Sequence, residues 1–171
     1  MSAPDATIEI QLAVEDADEP PEPATLRAWA AAALAAVDQA GAVVTLRVVD
    51  RAEGRALNRL YRGRDYATNV LSFPFGEVAP EVAVELGGHC LGDIAICAPV
   101  VEREAGEQGK SPAAHWAHMV VHGVLHLAGF DHDEPCAAAA MEARERAVLA
   151  EFGFGDPYAE GPTGAAALEE Q

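Results

Sequence analysis

His122 and His126 stand four residues apart in the stretch HGVLHLAGFDH, and His132 follows six residues later. Residues four apart lie on one face of a helix, one turn apart. Two imidazoles so placed can grip one metal ion. A third, reached after Gly129 stops the helix, completes a set of three. Three protein ligands leave one position of a tetrahedral zinc open to water, as in catalytic rather than structural sites. The bland alternative is three unrelated histidines, and the supporting grammar argues against it.

Ser111 and Pro112 read as the N-cap and first residue of the helix that must carry this pair. Gly129 reads as its stop. Between them His115, His118, His122 and His126 recur at spacings of three, four and four, so all four share a face. Met119, Val120, Val121, Val124, Leu125 and Leu127 cover much of the remainder, which predicts a helix buried on several sides. A buried helix with a histidine stripe needs a reason, and a metal supplies one. His118 is expected to support a ligand imidazole or to pack, and His115 to be an ordinary polar core residue. The spacing also matches the zinc-protease pattern HExxHxxGxxH, but the position of its general base is Gly123 here. Asp131, Asp133 or Glu134 could stand in for that base, although nothing in the spacing says so.

HGVLHLAGFDH resembles the HGxLHLxGYDH signature of the bacterial YbeY family of endoribonucleases and ribosomal RNA maturation factors. The segments LNRLYRGRDYATNVLSFPF (57–75), LGDIAIC (91–97), EREAGEQGKSPAAHWAHMVVHG (102–123) and the closing GFGDPY are similar to the corresponding family segments. The resemblance runs from about Thr7 to Tyr158. One departure is Phe130, where the family usually has Tyr; a hydroxyl beside the site is lost, but no ligand.

The resemblance implies one zinc ion per chain on His122, His126 and His132, and an important arginine in the cleft, which maps to Arg62. The residues agree on the arginine. Asp50 and Glu53 look like a capping box opening a helix, on which Arg55, Arg59 and Arg62 share a face. A guanidinium is always charged and can clamp a phosphodiester with two hydrogen bonds. A solvated basic face is the commoner fate of such a stripe and is the reading for Arg55 and Arg59, although Arg59 is also carried beside Arg62 as a candidate substrate contact. The implied reaction is metal-assisted hydrolysis of phosphodiester bonds in single-stranded RNA, with zinc lowering the pKa of its water to about 7. Arg62 would stabilise the charge that builds on the phosphate. Asp131 could orient a ligand imidazole, move protons or cap the next helix. Asp93, in LGDIAIC, would lie opposite Ile94 and Ile96 on a strand, either bonding near the cleft or ending a turn. Asn69 and Ser72 could contact the RNA or merely turn the chain. Maturation of the small-subunit ribosomal RNA 3′ end, ribosome quality control, and ribosomal or assembly-protein partners rest on the resemblance alone. Two other classes stay open: a zinc metallopeptidase, and a non-catalytic ribosome-assembly factor with structural zinc.

Charge argues against nucleic acid at first sight: 28 acidic residues face 11 Lys and Arg, a formal net of -17. The excess is uneven. Residues 1–22 hold Asp5, Glu9, Glu15, Asp16, Asp18, Glu19 and Glu22 without one Lys or Arg, whereas arginines cluster over 51–64. Such a patch on an acidic body predicts weak, salt-sensitive RNA binding, with specificity from partners and no DNA expected. The odd count of 3 cysteines fits a reducing cytosol better than a disulfide framework, and Cys136 is a minor candidate ligand. No apolar run reaches membrane-spanning length and the N-terminus lacks a basic-plus-apolar signal, so no membrane partner and a cytoplasmic location are expected.

A length of 171 residues suits one domain with a proper core. Strands are expected over Thr7–Val14, Val43–Val49, Asn69–Phe75 and Leu91–Cys97, with Pro74 marking a strand end or sheet edge. Helices are expected over Thr25–Gln39, from Asp50 to Gly63, from Pro99 to about Gln108, over the histidine stripe, and over Pro135–Phe152. Alternating strands and helices argue for α/β layering of the α+β type. The resemblance implies a central mixed sheet of about four strands surrounded by about five helices, a single domain over 1–158. Residues 159–171 read as a disordered acidic tail.

Overall fold

The computed structural model describes residues 7–14, 20–74, 90–130 and 135–158. Phe75, Asp131 and His132 fall outside these, as does the expected tail. The described chain runs β1 (Thr7–Ala13), α1 (Pro23–Ala36), β2 (Val43–Val49), α2 (Arg51–Arg62), β3 (Val70–Pro74), β4 (Cys90–Cys97), α3 (Ala98–Gln108), α4 (Pro112–Leu127) and α5 (Pro135–Glu151). The four strands form one mixed sheet in the order β1-β2-β4-β3. β1 and β4 are both parallel to β2, and β3 is antiparallel to β4. The expected α+β domain is therefore present, with Pro74 on an edge strand where its missing N–H costs no ladder bond.

Alternation along the strands decides which face each helix covers. Val44, Leu46 and Val48 of β2 and Ile94 and Ile96 of β4 are wholly buried and join the main core. Leu26, Trp29, Ala33 and Leu34 of α1, and Trp116, Met119, Val120 and Val124 of α4, close over that face. The other face carries Thr45, Arg47 and Asp93, in register across β2 and β4. Part of it is roofed by α2, where Val49, Cys97 and Val100 make a small second cluster with Leu57 and Ala67.

The helix ends follow their sequence signals. Ser111 Oγ accepts the Ala114 N–H at 3.1 Å, with Pro112 opening α4. Asp50 accepts the Glu53 N–H at 2.8 Å, and Gly63, at φ 70°, closes α2 in the left-handed conformation. Only half of the expected capping box forms. The Glu53 carboxylate turns away and takes two bonds from Arg47, at 2.6 and 3.1 Å. The ion pair on β2 outcompetes the return bond to Asp50. α1 begins at Pro23 and ends at Ala36, slightly N-terminal to the expected span.

Candidate metal centre and cleft

α4 is buried almost throughout, including His115, His118 and His122. Its glycine explains how closely it sits on the sheet. A Cβ at position 123 would stand 2.9 Å from Ile94 Cγ2 and 3.3 Å from Val70 Cγ2, inside normal carbon contact. Ser72 Oγ of β3 adds a bond to the Gly123 carbonyl at 3.1 Å. Position 123 thus faces the sheet. A glutamate there would be driven into the core instead of reaching the neighbouring imidazoles, which removes the chemical group a peptidase would need.

His122 and His126 lie to one side of that contact, their ring centroids 4.9 Å apart. Together with Tyr61, Arg62, Ser72, Phe73 and Pro74 they line a cleft of about 500 Å³ along the edge strand. The fold therefore gathers Arg62, from the end of α2, with both histidines of the i, i+4 pair. Arg62 makes no ion pair among the described residues, whereas Arg55 is committed to Asp65 by two bonds of 2.8 and 2.9 Å.

Behind the cleft lies a buried polar cluster. His122 Nδ1 is 2.7 Å from Glu145 Oε2, a hydrogen bond in which the imidazole donates. Tyr158 donates its hydroxyl to Glu145 Oε1 at 2.5 Å, and His118 Nε2 lies 3.2 Å from that hydroxyl oxygen. Glu145 is wholly buried. Burial alone would raise its pKa, but the His118 and His122 imidazoles beside it, 3.6 and 2.7 Å from Oε2, outweigh burial and hold the carboxyl well below the usual range. Burial, reinforced by the Glu145 charge, pushes the Tyr158 phenol far up, so Tyr158 stays a donor. Burial also lowers the His118 pKa and keeps that ring neutral. A neutral His118 carrying its proton on Nε2 donates to Tyr158 and completes the chain of bonds. The His118, His122 and Glu145 ligand atoms lie within 4.8 Å of one another, so this trio is a group of the kind that could hold a metal ion.

The remaining expected residues separate. Asn69 is buried and its amide is tied to Glu104 at 3.0 Å, while its Oδ1 accepts the Val70 N–H, so its side chain is spent on structure. His115 meets the same Glu104 at 2.9 Å, in keeping with a polar core role. Asp93 lines a different pocket, of about 370 Å³, on the sheet face roofed by α2. Arg59 is exposed on α2 and is not among the residues lining the cleft. Cys136 is exposed on α5. Asp131 and His132 lie outside the described residues.

Two groups were missed in the sequence, Glu145 and Tyr158. A signal for the first existed: Met141, Val148 and Leu149 are the buried stripe of α5, and Glu145 occupies a position of that stripe. An acid in an apolar stripe must be paired or it would not be tolerated. Tyr158 had no signal beyond its place in GFGDPY.

An enclosed cluster of imidazoles and a carboxylate, beside an arginine-bearing cleft, defines a class of metal-binding hydrolase-like proteins. The family model described as Endoribonuclease YbeY matches residues 11–153, and the chain belongs to that family. It is 58% identical over 158 residues to Endoribonuclease YbeY of Alkalilimnicola ehrlichii, covering 91% of this chain and 93% of that protein. It is 57% identical over 140 residues to Endoribonuclease YbeY of Pseudomonas putida, covering 82% and 86%. The solution structure of a Thermotoga maritima protein is similar with a TM-score of 0.56 at 26% identity, covering 85% of this chain and 91% of that one.

Proposed function

We propose that this chain is a single-strand-specific, zinc-dependent endoribonuclease of ribosomal RNA maturation. Endoribonuclease activity follows from family membership. The finer reading places zinc on His122, His126 and His132, RNA in the cleft against Arg62 and Ser72, and Arg59 further along the strand's path. The observation that carries it is the convergence of Arg62 with His122 and His126 in one cleft.

The donor chemistry fits a metal. With Nδ1 of His122 bonded to Glu145, coordination would fall to Nε2, and neutral imidazole is a good zinc ligand. The 2.7 Å separation of Nδ1 and Oε2 is shorter than two ligands of one tetrahedral zinc allow, about 3.3 Å for bonds near 2.0 Å, so Glu145 serves better as the imidazole's support than as a co-ligand. Bound there, zinc supplies a Lewis acid and water activated near neutral pH. Arg62 binds a phosphate oxygen and stabilises the extra negative charge of the transition state. Glu145 keeps the His122 proton on Nδ1. Asp131 is proposed to orient an imidazole or relay protons. Tyr61 and Phe73, with rings 4.8 Å apart at the rim, offer surfaces on which unpaired bases can stack.

The proposed substrate is ribosomal RNA at the small-subunit 3′ end, with ribosome or assembly proteins supplying specificity, in the cytoplasm. Residues 1–158 are proposed as the enzymatic unit. No helix among the described residues is long and apolar enough to cross a membrane. Arg62→Glu is the test. It should abolish cleavage of a labelled single-stranded RNA while leaving metal content and melting temperature nearly unchanged. Undiminished cleavage would remove Arg62 from the mechanism.

A further inference from the structure

We propose that Tyr158 is a positioning residue for the metal centre: by holding the Glu145 carboxylate, it fixes His122 with its proton on Nδ1 and Nε2 turned to the cleft. The inference rests on the reading of His122 as a metal ligand. Its basis is a segment built to deliver one hydroxyl to a buried carboxylate. After α5, Gly153 at φ 83° reverses the chain, and Phe154 packs edge-on against Trp29, ring centroids 6.0 Å apart. The reversed segment is tied at three further points. Lys110 Nζ donates to the Pro157 carbonyl at 3.2 Å, Arg146 Nε to Asp156 Oδ2 at 3.0 Å, and the Tyr158 N–H to Asp156 Oδ1 at 2.8 Å. The Arg146 guanidinium also lies over the Tyr158 ring, 5.7 Å from its centroid.

The two carboxylate oxygens then have separate tasks. Oε1 takes the Tyr158 hydroxyl and Oε2 takes His122 Nδ1. His118 Nε2 lies 3.6 Å from Oε2 and 3.2 Å from the Tyr158 oxygen, so the hydroxyl gives that imidazole a nearer partner than the carboxylate oxygen His122 uses. Without the hydroxyl, His118 can turn its Nε2–H onto Glu145 and draw the carboxylate from His122. Partners of ligand imidazoles that fix ring orientation typically change metal affinity by 10–100-fold when lost.

The experiment is zinc titration of the full chain against a competing chelator, for wild type, Tyr158→Phe, Glu145→Gln, the double variant and His122→Ala. Ring nitrogen shifts of the metal-free proteins report the His122 tautomer. Tyr158→Phe should weaken zinc binding about tenfold and mix the His122 tautomers, and Glu145→Gln should do so by about 10–100-fold. Because Tyr158 acts through Glu145, its loss should add less than about twofold in the Glu145→Gln background. Unchanged affinity and tautomer in Tyr158→Phe, or an equal loss in both backgrounds, overturns the proposal. Complete loss of zinc in Glu145→Gln would make the carboxylate a ligand and overturn it too. If Tyr158→Phe fails to fold, Asp156→Ala, which removes the bonds from Arg146 and the Tyr158 N–H but keeps the hydroxyl, should weaken zinc in the same direction, and unchanged affinity there counts against it. Zinc binding that survives in His122→Ala brings down the ligand reading itself, and with it this one.

Discussion

One methyl group added at Gly123 measures how tightly the histidine helix is seated on the sheet. The new Cβ would stand 2.9 Å from Ile94 Cγ2 and 3.3 Å from Val70 Cγ2. Carbon pairs rest at about 3.5–4.0 Å, so α4 or the sheet must give by roughly half an ångström. Neither neighbour can swing aside easily, because both methyls sit on stiff β-branched side chains and Ile94 is wholly buried. Overpacking of this kind costs about 1–3 kcal/mol. Alanine returns about 1 kcal/mol in helix propensity over glycine. The net for Gly123→Ala is a loss of about 1 kcal/mol, or a melting temperature lower by about 2–4 °C for a chain of this size. Urea unfolding of the metal-free protein at unchanged m-value is the assay. Gly123→Glu, which restores the protease pattern, should lose folded protein and gain no peptidase activity. A Gly123→Ala protein more stable by the full propensity gain would refute the close seating, and with it the argument that position 123 cannot serve the cleft.

Acid stability tests the Glu104 cluster. Burial tends to raise the Glu104 pKa, but hydrogen bonds from His115 and Asn69 bring it below its ordinary value, so its stabilisation is present above the usual glutamate range and lost as pH falls through the lowered pKa. Glu104→Gln should therefore be less stable than wild type near neutral pH, with a gap that closes between about pH 5 and 3; a gap constant over that range would contradict the sign. Arg55→Ala should leave the urea midpoint essentially unchanged, because the Arg55–Asp65 pair is more than half exposed on both sides, 59% and 56%. A clear drop in that midpoint at unchanged m-value would show that this pair anchors the loop after α2.

Much of the fold was legible because local signals agreed with tertiary need. Ser111–Pro112, Asp50 and Gly63 mark helix ends in the sequence and do so in the structure. Alternation in VVTLRVV named the buried face of β2. The helical histidine spacing put His122 and His126 on one wall of a cleft, and Arg62 reached the same cleft from a helix far away in sequence. What could not be read was competition between partners. Glu53 satisfied the capping-box pattern, yet Arg47 claimed its carboxylate. Asn69 lay in a segment marked for RNA contact, yet Glu104 claimed its amide. Asp93 was rightly set opposite Ile94 and Ile96, but which side of the sheet held the cleft is decided by helix packing, and Asp93 faces the other pocket. Glu145 announces a buried acid by its place in the apolar stripe of α5, but its pairing with His122 and Tyr158 comes from the docking of α5 and its return segment, a long-range outcome that no local pattern encodes.

RNA cleavage by this chain is expected to depend on a metal held by the histidine helix. The most direct test is cleavage of a labelled single-stranded RNA by metal-quantified wild-type and His126→Ala proteins, purified side by side so that a contaminating nuclease appears in both. The account predicts about one zinc per wild-type chain together with cleavage, and loss of both in the variant. Equal cleavage by the two proteins would contradict it and leave a metal-stapled assembly factor as the better description.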